Sequence, residues 1–141
     1  MNSFATMTTI RARPDAIWAL LTDAHGFTLW NSTVERVDGS IAPGEKVTVY
    51  AKASPGRAFP LKVSTFTAPE TMVWSGGMPL GLFTGRRTFT LSPSANGETD
   101  FSMREEFSGL LAPLITKSIP DLQPSFDRFA ADLKQRAEQV S

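Results

Sequence analysis

The carboxy-terminal stretch constrains this chain more than any other. From Ile115 the apolar residues fall at Ile115, Ile119, Leu122, Phe126, Phe129 and Leu133, in alternating steps of four and three. That spacing is one face of a helix. Asp121, Ser125, Arg128, Asp132, Lys134 and Gln135 lie largely off the stripe. An amphipathic helix must bury its apolar face, and everything upstream reads mostly as short strands. The expected class is therefore α+β, with a curved antiparallel sheet around one long helix. Pro120 and Pro124 interrupt the stripe. With Asp121 as a cap, Pro124 falls in the first turn, where its missing N–H costs little. The reading is a short helical segment from about Ala112 to Lys117, a bend, and a main helix from about Leu122 to Glu138.

Upstream, Phe4 to Ala12 reads as a strand with Phe4, Thr6, Thr8 and Ile10 on one face. Pro14 suits the first turn of a short helix with Ile17, Trp18, Leu20 and Leu21 on its apolar side. Trp18 reads as core. A second helical turn, Phe27 to Trp30, follows Gly26. Strands are then expected at Thr33 to Asp38, Val47 to Ala51, Leu61 to Thr65 and Thr71 to Ser75. Tyr50 falls on the outer face. The stretch Gly76-Gly77-Met78-Pro79-Leu80-Gly81 reads as a flexible connection.

The last hairpin carries more information. Phe83, Gly85, Arg87, Phe89 and Leu91 share one parity, and Phe101, Met103, Glu105 and Phe107 share another. A two-residue Asn96-Gly97 loop would put these two apolar sets on opposite faces, which a one-sided sheet does not tolerate. A three-residue loop, Ala95-Asn96-Gly97 with Gly97 left-handed, pairs Leu91 with Phe101, Phe89 with Met103 and Arg87 with Glu105. An Arg–Glu pair then sits on the apolar face.

Composition narrows the function. At 141 residues, one domain spanning 1–141 is expected. Formal net charge is zero, which argues against a nucleic-acid surface or an acidic membrane as the main partner. Without cysteine, and with His25 as the one histidine, thiolate chemistry and multi-His metal sites are excluded. His25 itself reads as a solvated loop residue. No metal or other cofactor is expected. No apolar run has the length of a bilayer span, so no integral membrane association is expected. Met1 to Thr6 lacks the pattern of a signal peptide. A cytoplasmic monomer or homodimer is the default.

The order of strand, two short helices, six antiparallel strands and a long helix resembles the START-like, or helix-grip, superfamily. That group includes the birch-pollen allergen and the polyketide cyclase/dehydrase and lipid-transport proteins. The likeness is carried by Ile10 to Asp23 at the entry to the first helix and by Phe27 and Trp30. Gly85 to Leu91 and Glu105 to Gly109 carry it in the late strands. It covers nearly the whole chain and specifies fold more tightly than chemistry. It implies a helix-grip sheet of about seven strands, with two short helices between strands 1 and 2. It also implies a cavity between sheet and long helix, ringed by loops.

The candidate ligand-binding side chains are apolar with a few polar anchors, as small-molecule sites usually are. From the sheet they are Phe66, Trp74, Phe83, Phe89, Met103 and Phe107. Trp30 comes from the short helices, and Phe126 and Phe129 come from the long one. For each aromatic the plainer reading is core filling. The face that Phe66 presents is open, since its parity differs from that of Leu61 and Val63. Arg87 and Glu105 are the polar candidates. Arg87 is suited to a ligand carboxylate, phenolate or enolate, and Glu105 to orienting it or to acid/base work. Ranked ahead of that is a cross-strand ion pair that fixes register. Phe59, Met78, Leu80 and Leu82 would ring the mouth as a portal or a dimer contact.

These residues support three functions. The leading one is binding of a small hydrophobic or amphipathic molecule such as a lipid, polyketide or aromatic metabolite. The second is a cyclase, aromatase or dehydratase using Arg87 and Glu105. The third is an interaction module with an exposed apolar patch. The scarcity of titratable groups favours binding.

Overall fold

The computed structural model describes residues 3–140. Met1, Asn2 and Ser141 lie outside the described residues, so the absence of a signal peptide, expected from Met1 to Thr6, falls partly outside them. The elements are β1 (Ser3–Ile10), α1 (Pro14–Leu21), α2 (Phe27–Trp30), β2 (Val34–Gly39), β3 (Lys46–Ala51), β4 (Phe59–Thr67), β5 (Thr71–Met78), β6 (Phe83–Pro93), β7 (Thr99–Ser108), α3 (Ala112–Ile115) and α4 (Gln123–Val140). One antiparallel sheet of seven strands runs in the order β1-β7-β6-β5-β4-β3-β2. The curled sheet and the long carboxy-terminal helix form the helix-grip architecture. The two short helices carry the chain from one sheet edge, β1, to the other, β2.

Helix α4 buries Phe126, Phe129, Ala130, Leu133 and Ala137. Phe129 is the centre of the core. Its ring lies 5.6–6.2 Å from those of Trp30, Phe27, Phe89 and Phe101. Polar bonds fix the helix along β1: Gln123 Nε2 donates to the Ala5 carbonyl at 2.7 Å and Lys134 Nζ to the Thr9 carbonyl at 2.6 Å. On its other flank, the Ser32 N–H and hydroxyl both donate to the Asp132 carboxylate.

The β6–β7 hairpin has the register that parity demanded. Leu91 faces Phe101, Phe89 faces Met103 and Arg87 faces Glu105. The loop is the three-residue one, and both Asn96 (φ 61°) and Gly97 (φ 75°) are left-handed. Asn tolerates that region better than most residues.

One expectation needed revision, and the face of Phe66, open in the sequence, is now defined. The glycine-rich stretch is not wholly a connection, because β5 continues through Gly76 and Gly77 to Met78. Glycine is needed there because strands approach closely. A Cβ on Gly76 would lie 2.6 Å from the Pro60 carbonyl oxygen, and one on Gly77 would collide with that of Phe83. In β4, Thr65 takes a left-handed conformation (φ 47°), and the register shifts between Ser64 and Thr67. This bulge reverses the strand's parity and turns Phe66 onto Trp18, ring to ring at 5.2 Å. The apolar stripe from Ile115 is split at the bend that the two prolines predict. Ile115 closes α3, Ile119 follows a 3-10 turn, and α4 starts only at Gln123, whose N–H bonds the Asp121 carboxylate at 3.0 Å.

Candidate functional site

The concave face of the sheet is filled unevenly. One row across β5, β6, β7 and β1 consists of Met72, Phe89, Met103 and Thr6, the first three of them buried. The next row toward the loops is Trp74, Arg87, Glu105 and Phe4. One step further, Gly76 pairs with Gly85, so two strands contribute no side chain. Space is left there, and Ile115, Ile119 and the start of α4 roof it. The result is a partly open pocket of about 400 Å³, inside the roughly 300–1,000 Å³ range of small-molecule sites.

Trp74, Phe83, Arg87, Met103, Glu105, Phe107, Phe126 and Phe129 all border this space. Phe83 and Phe107 stack nearly parallel with centroids 5.8 Å apart. The other candidates sit elsewhere. Phe89 is fully buried behind Trp74, with centroids 4.8 Å apart. Phe66 packs on Trp18. Trp30 packs between Phe27 and Phe129 and borders a separate shallow surface recess. Phe59, expected at the rim, lines the pocket, as does Ser125.

Gly85, Ile115 and Ile119 also line the pocket, and sequence reasoning does not single them out as site residues. Gly85 shares parity with Phe83 and Arg87, and that is the available signal. Pro120 and Pro124 already separate Ile115 and Ile119 from the long helix, but nothing local in the sequence shows that the two side chains roof a pocket.

Arg87 and Glu105 are held half-buried, with side-chain exposures of 22% and 16%. Arg87 Nε donates to Glu105 Oε1 at 2.8 Å. The guanidinium carbon lies 4.8 Å from the centroid of the Phe126 ring, a cation–π contact that fixes the plane of the group. Among the described residues, neither side chain makes another hydrogen bond. A guanidinium has five N–H donors and a carboxylate about four acceptor positions, so most of this pair's capacity is uncommitted. Trp74 adds a buried indole N–H without a partner among the described residues.

The charged groups on the lining are Arg57, Arg87 and Glu105. Two cations against one carboxylate leave the wall net positive by one. Neither His25 nor Tyr50 belongs to it. His25 is exposed, and Tyr50 lies beneath the Arg36 guanidinium at 3.8 Å. No helix among the described residues is long and apolar enough to cross a membrane.

The family model described as polyketide cyclase / dehydrase and lipid transport matches residues 1–138. Solved structures share the fold at low identity. A hypothetical protein from Helicobacter pylori superposes with TM-score 0.78 at 13% identity, covering 96% of this chain and 88% of that one. The Aha1 dimer from Colwellia psychrerythraea gives 0.72 at 18%, covering 98% and 97%. A START superfamily protein from Mycobacterium smegmatis gives 0.69 at 14%, covering 99% of each. No curated protein matches the chain.

Proposed function

The chain belongs to the polyketide cyclase/dehydrase and lipid transport family, and from that premise we propose that it binds one small amphipathic molecule with an anionic or enolic head in the pocket between sheet and helix. The observation that carries this reading is the Arg87 fork, only partly used by Glu105, on a largely apolar wall. A carboxylate, phenolate or enolate arriving there meets aligned donors in a site of reduced dielectric. Phe83, Phe107 and Phe126 offer aromatic faces to the apolar body. About 400 Å³ suits a polycyclic aromatic or a single acyl chain, not a two-chain phospholipid. We take the chain to act as one domain, in the cytoplasm, as a monomer or homodimer.

A second reading, catalysis of a cyclase or dehydratase type, is favoured by one observation. Glu105 is the pocket's one carboxylate, and its Oε2 has no partner among the described residues. In that reading Glu105 moves a proton and Arg87 stabilises the enolate that forms. Binding ranks first because no His, Tyr, Lys or Cys lines the pocket to complete an acid/base set.

Native mass spectrometry of the purified protein, followed by organic extraction, tests the proposal. A stoichiometric acidic or phenolic adduct, lost in Arg87→Ala, is the expected result. A bare mass, together with no thermal stabilisation by fatty acids or aromatic polyketides, contradicts it.

A further inference from the structure

The mouth of the pocket carries a surface that ligand binding does not explain. The loop between β5 and β6 and the segment after β7 lie side by side. Leu111 N–H donates to the Leu82 carbonyl at 2.8 Å. Gly109 allows the approach, since a Cβ there would lie 2.6 Å from that same oxygen. These two adjacent segments display Leu80 at 95% exposure, Leu110 at 82%, Leu114 at 67% and Met78 at 43%. Leu80 stands at a left-handed turn position (φ 62°). A bulky residue there costs conformational energy, and at that exposure it gains no burial in return.

The charges are divided as well. The zero net charge hides three long stretches without Asp or Glu: Lys46 to Pro69, Thr71 to Gly97, and Phe107 to Pro120. These stretches supply the β3–β4 and β5–β6 loops and the segment after β7, which border the pocket. Arg57 and Lys117 are exposed on them. The nearby acidic groups are engaged: Glu105 with Arg87, Glu106 with Arg104 at 3.6 Å, and Asp121 with the Gln123 N–H.

We infer that this mouth docks on an anionic lipid bilayer, with Leu80, Leu110 and Leu114 entering the interface and Arg57 and Lys117 meeting lipid phosphates. Protruding aliphatic side chains flanked by cations are the pattern of interfacial binding. Protein interfaces favour aromatic residues at their centre, and the exposed patch has none. The same two segments line the pocket through Phe83 and Ile115, so docking would turn the pocket's entrance toward the lipid. The inference extends the binding reading but rests on different residues.

Sedimentation of the full chain with vesicles tests it, using phosphatidylcholine alone and an equal mixture with phosphatidylglycerol. Binding should require the anionic lipid and weaken with added salt. Leu80→Asp combined with Leu114→Asp should reduce it at least about tenfold, since burying one leucine corresponds to roughly ten- to a hundredfold in an association constant. Lys117→Glu should reduce it by about fivefold or more. Arg87→Ala should leave vesicle binding intact, and the leucine variants should still bind fatty acid, which separates failure of this inference from failure of the pocket reading. Equal sedimentation without anionic lipid, or binding unchanged in the leucine variants, overturns the inference. So does a dimer in solution that Leu80→Asp dissociates, because the patch would then belong to a second copy.

Discussion

Arg87 and Glu105 are direct cross-strand neighbours on β6 and β7, joined by one hydrogen bond from Nε to Oε1 at 2.8 Å. The guanidinium's terminal nitrogens and the second carboxylate oxygen are left over. A pair whose only task was to fix register would gain from the two-bond geometry that arginine offers a carboxylate. The single bond is the geometry of a pair with room for a third party. Arg87→Ala should therefore have two effects. Unfolding stability should fall by about 1–3 kcal/mol, the usual worth of a charged hydrogen bond with one partner stranded. Affinity for an anionic amphiphile should fall at least about tenfold, or about 1.4 kcal/mol. Urea titration and calorimetry read the two separately. Loss of stability with unchanged affinity would make the pair structural only.

Gly85 gives a cleaner lever on the pocket. A Cβ built there meets Glu105 Oε2 and the Phe107 ring at 3.4 Å, a tight but not colliding contact. Gly85→Ala should change stability by less than about 1 kcal/mol. Gly85→Leu should fill the space beside Arg87, keep the fold, and abolish ligand binding. Circular dichroism and the same calorimetric titration check this.

Phe129 joins the helix to the sheet and to α2 through its four ring contacts. Phe129→Ala should cost about 3–5 kcal/mol, the range for emptying a large aromatic site. Denaturant unfolding gives the value. A cost below about 1 kcal/mol would mean that the core is not centred there.

The sequence resolved some of this architecture and missed the rest for identifiable reasons. The β6–β7 register followed from parity alone, because Leu91, Phe89, Phe101 and Met103 all had to face the helix. Phe66 could not be placed, since the flip comes from a left-handed Thr65 that no composition rule marks. Gly76 looked like a loop residue. Its role appears only when the Pro60 carbonyl is seen 2.6 Å from its missing Cβ. The pocket depends on Gly76 pairing with Gly85, and that meeting of two absent side chains has no periodic signature. Phe89 and Trp30 had the right chemistry, but the tertiary fold buries the first behind Trp74 and turns the second to Phe27 and Phe129.

Glu138 makes stability depend on pH. The Arg11 backbone N–H at 2.9 Å and then Lys134 Nζ at 2.8 Å favour its ionised form and hold it from 4.5 down to about 2. A carboxylate depressed in the folded state stabilises the fold above its unfolded value. That contribution is lost as pH falls through 4.5 toward 2. Glu138→Gln should therefore be less stable than the parent near neutral pH. The two proteins should converge at the acid end of this range, as read from urea midpoints across the window. A constant gap at all pH values would contradict the assignment.

The most direct test of the binding reading is a calorimetric titration of the protein and of Gly85→Leu with a medium-chain fatty acid. Tryptophan emission can be followed in parallel, because Trp74 borders the pocket. One-to-one saturable binding with a change in emission, absent in Gly85→Leu and weakened in Arg87→Ala, is the expected result. Binding that persists unchanged in Gly85→Leu would place the ligand elsewhere on the protein and contradict the reading.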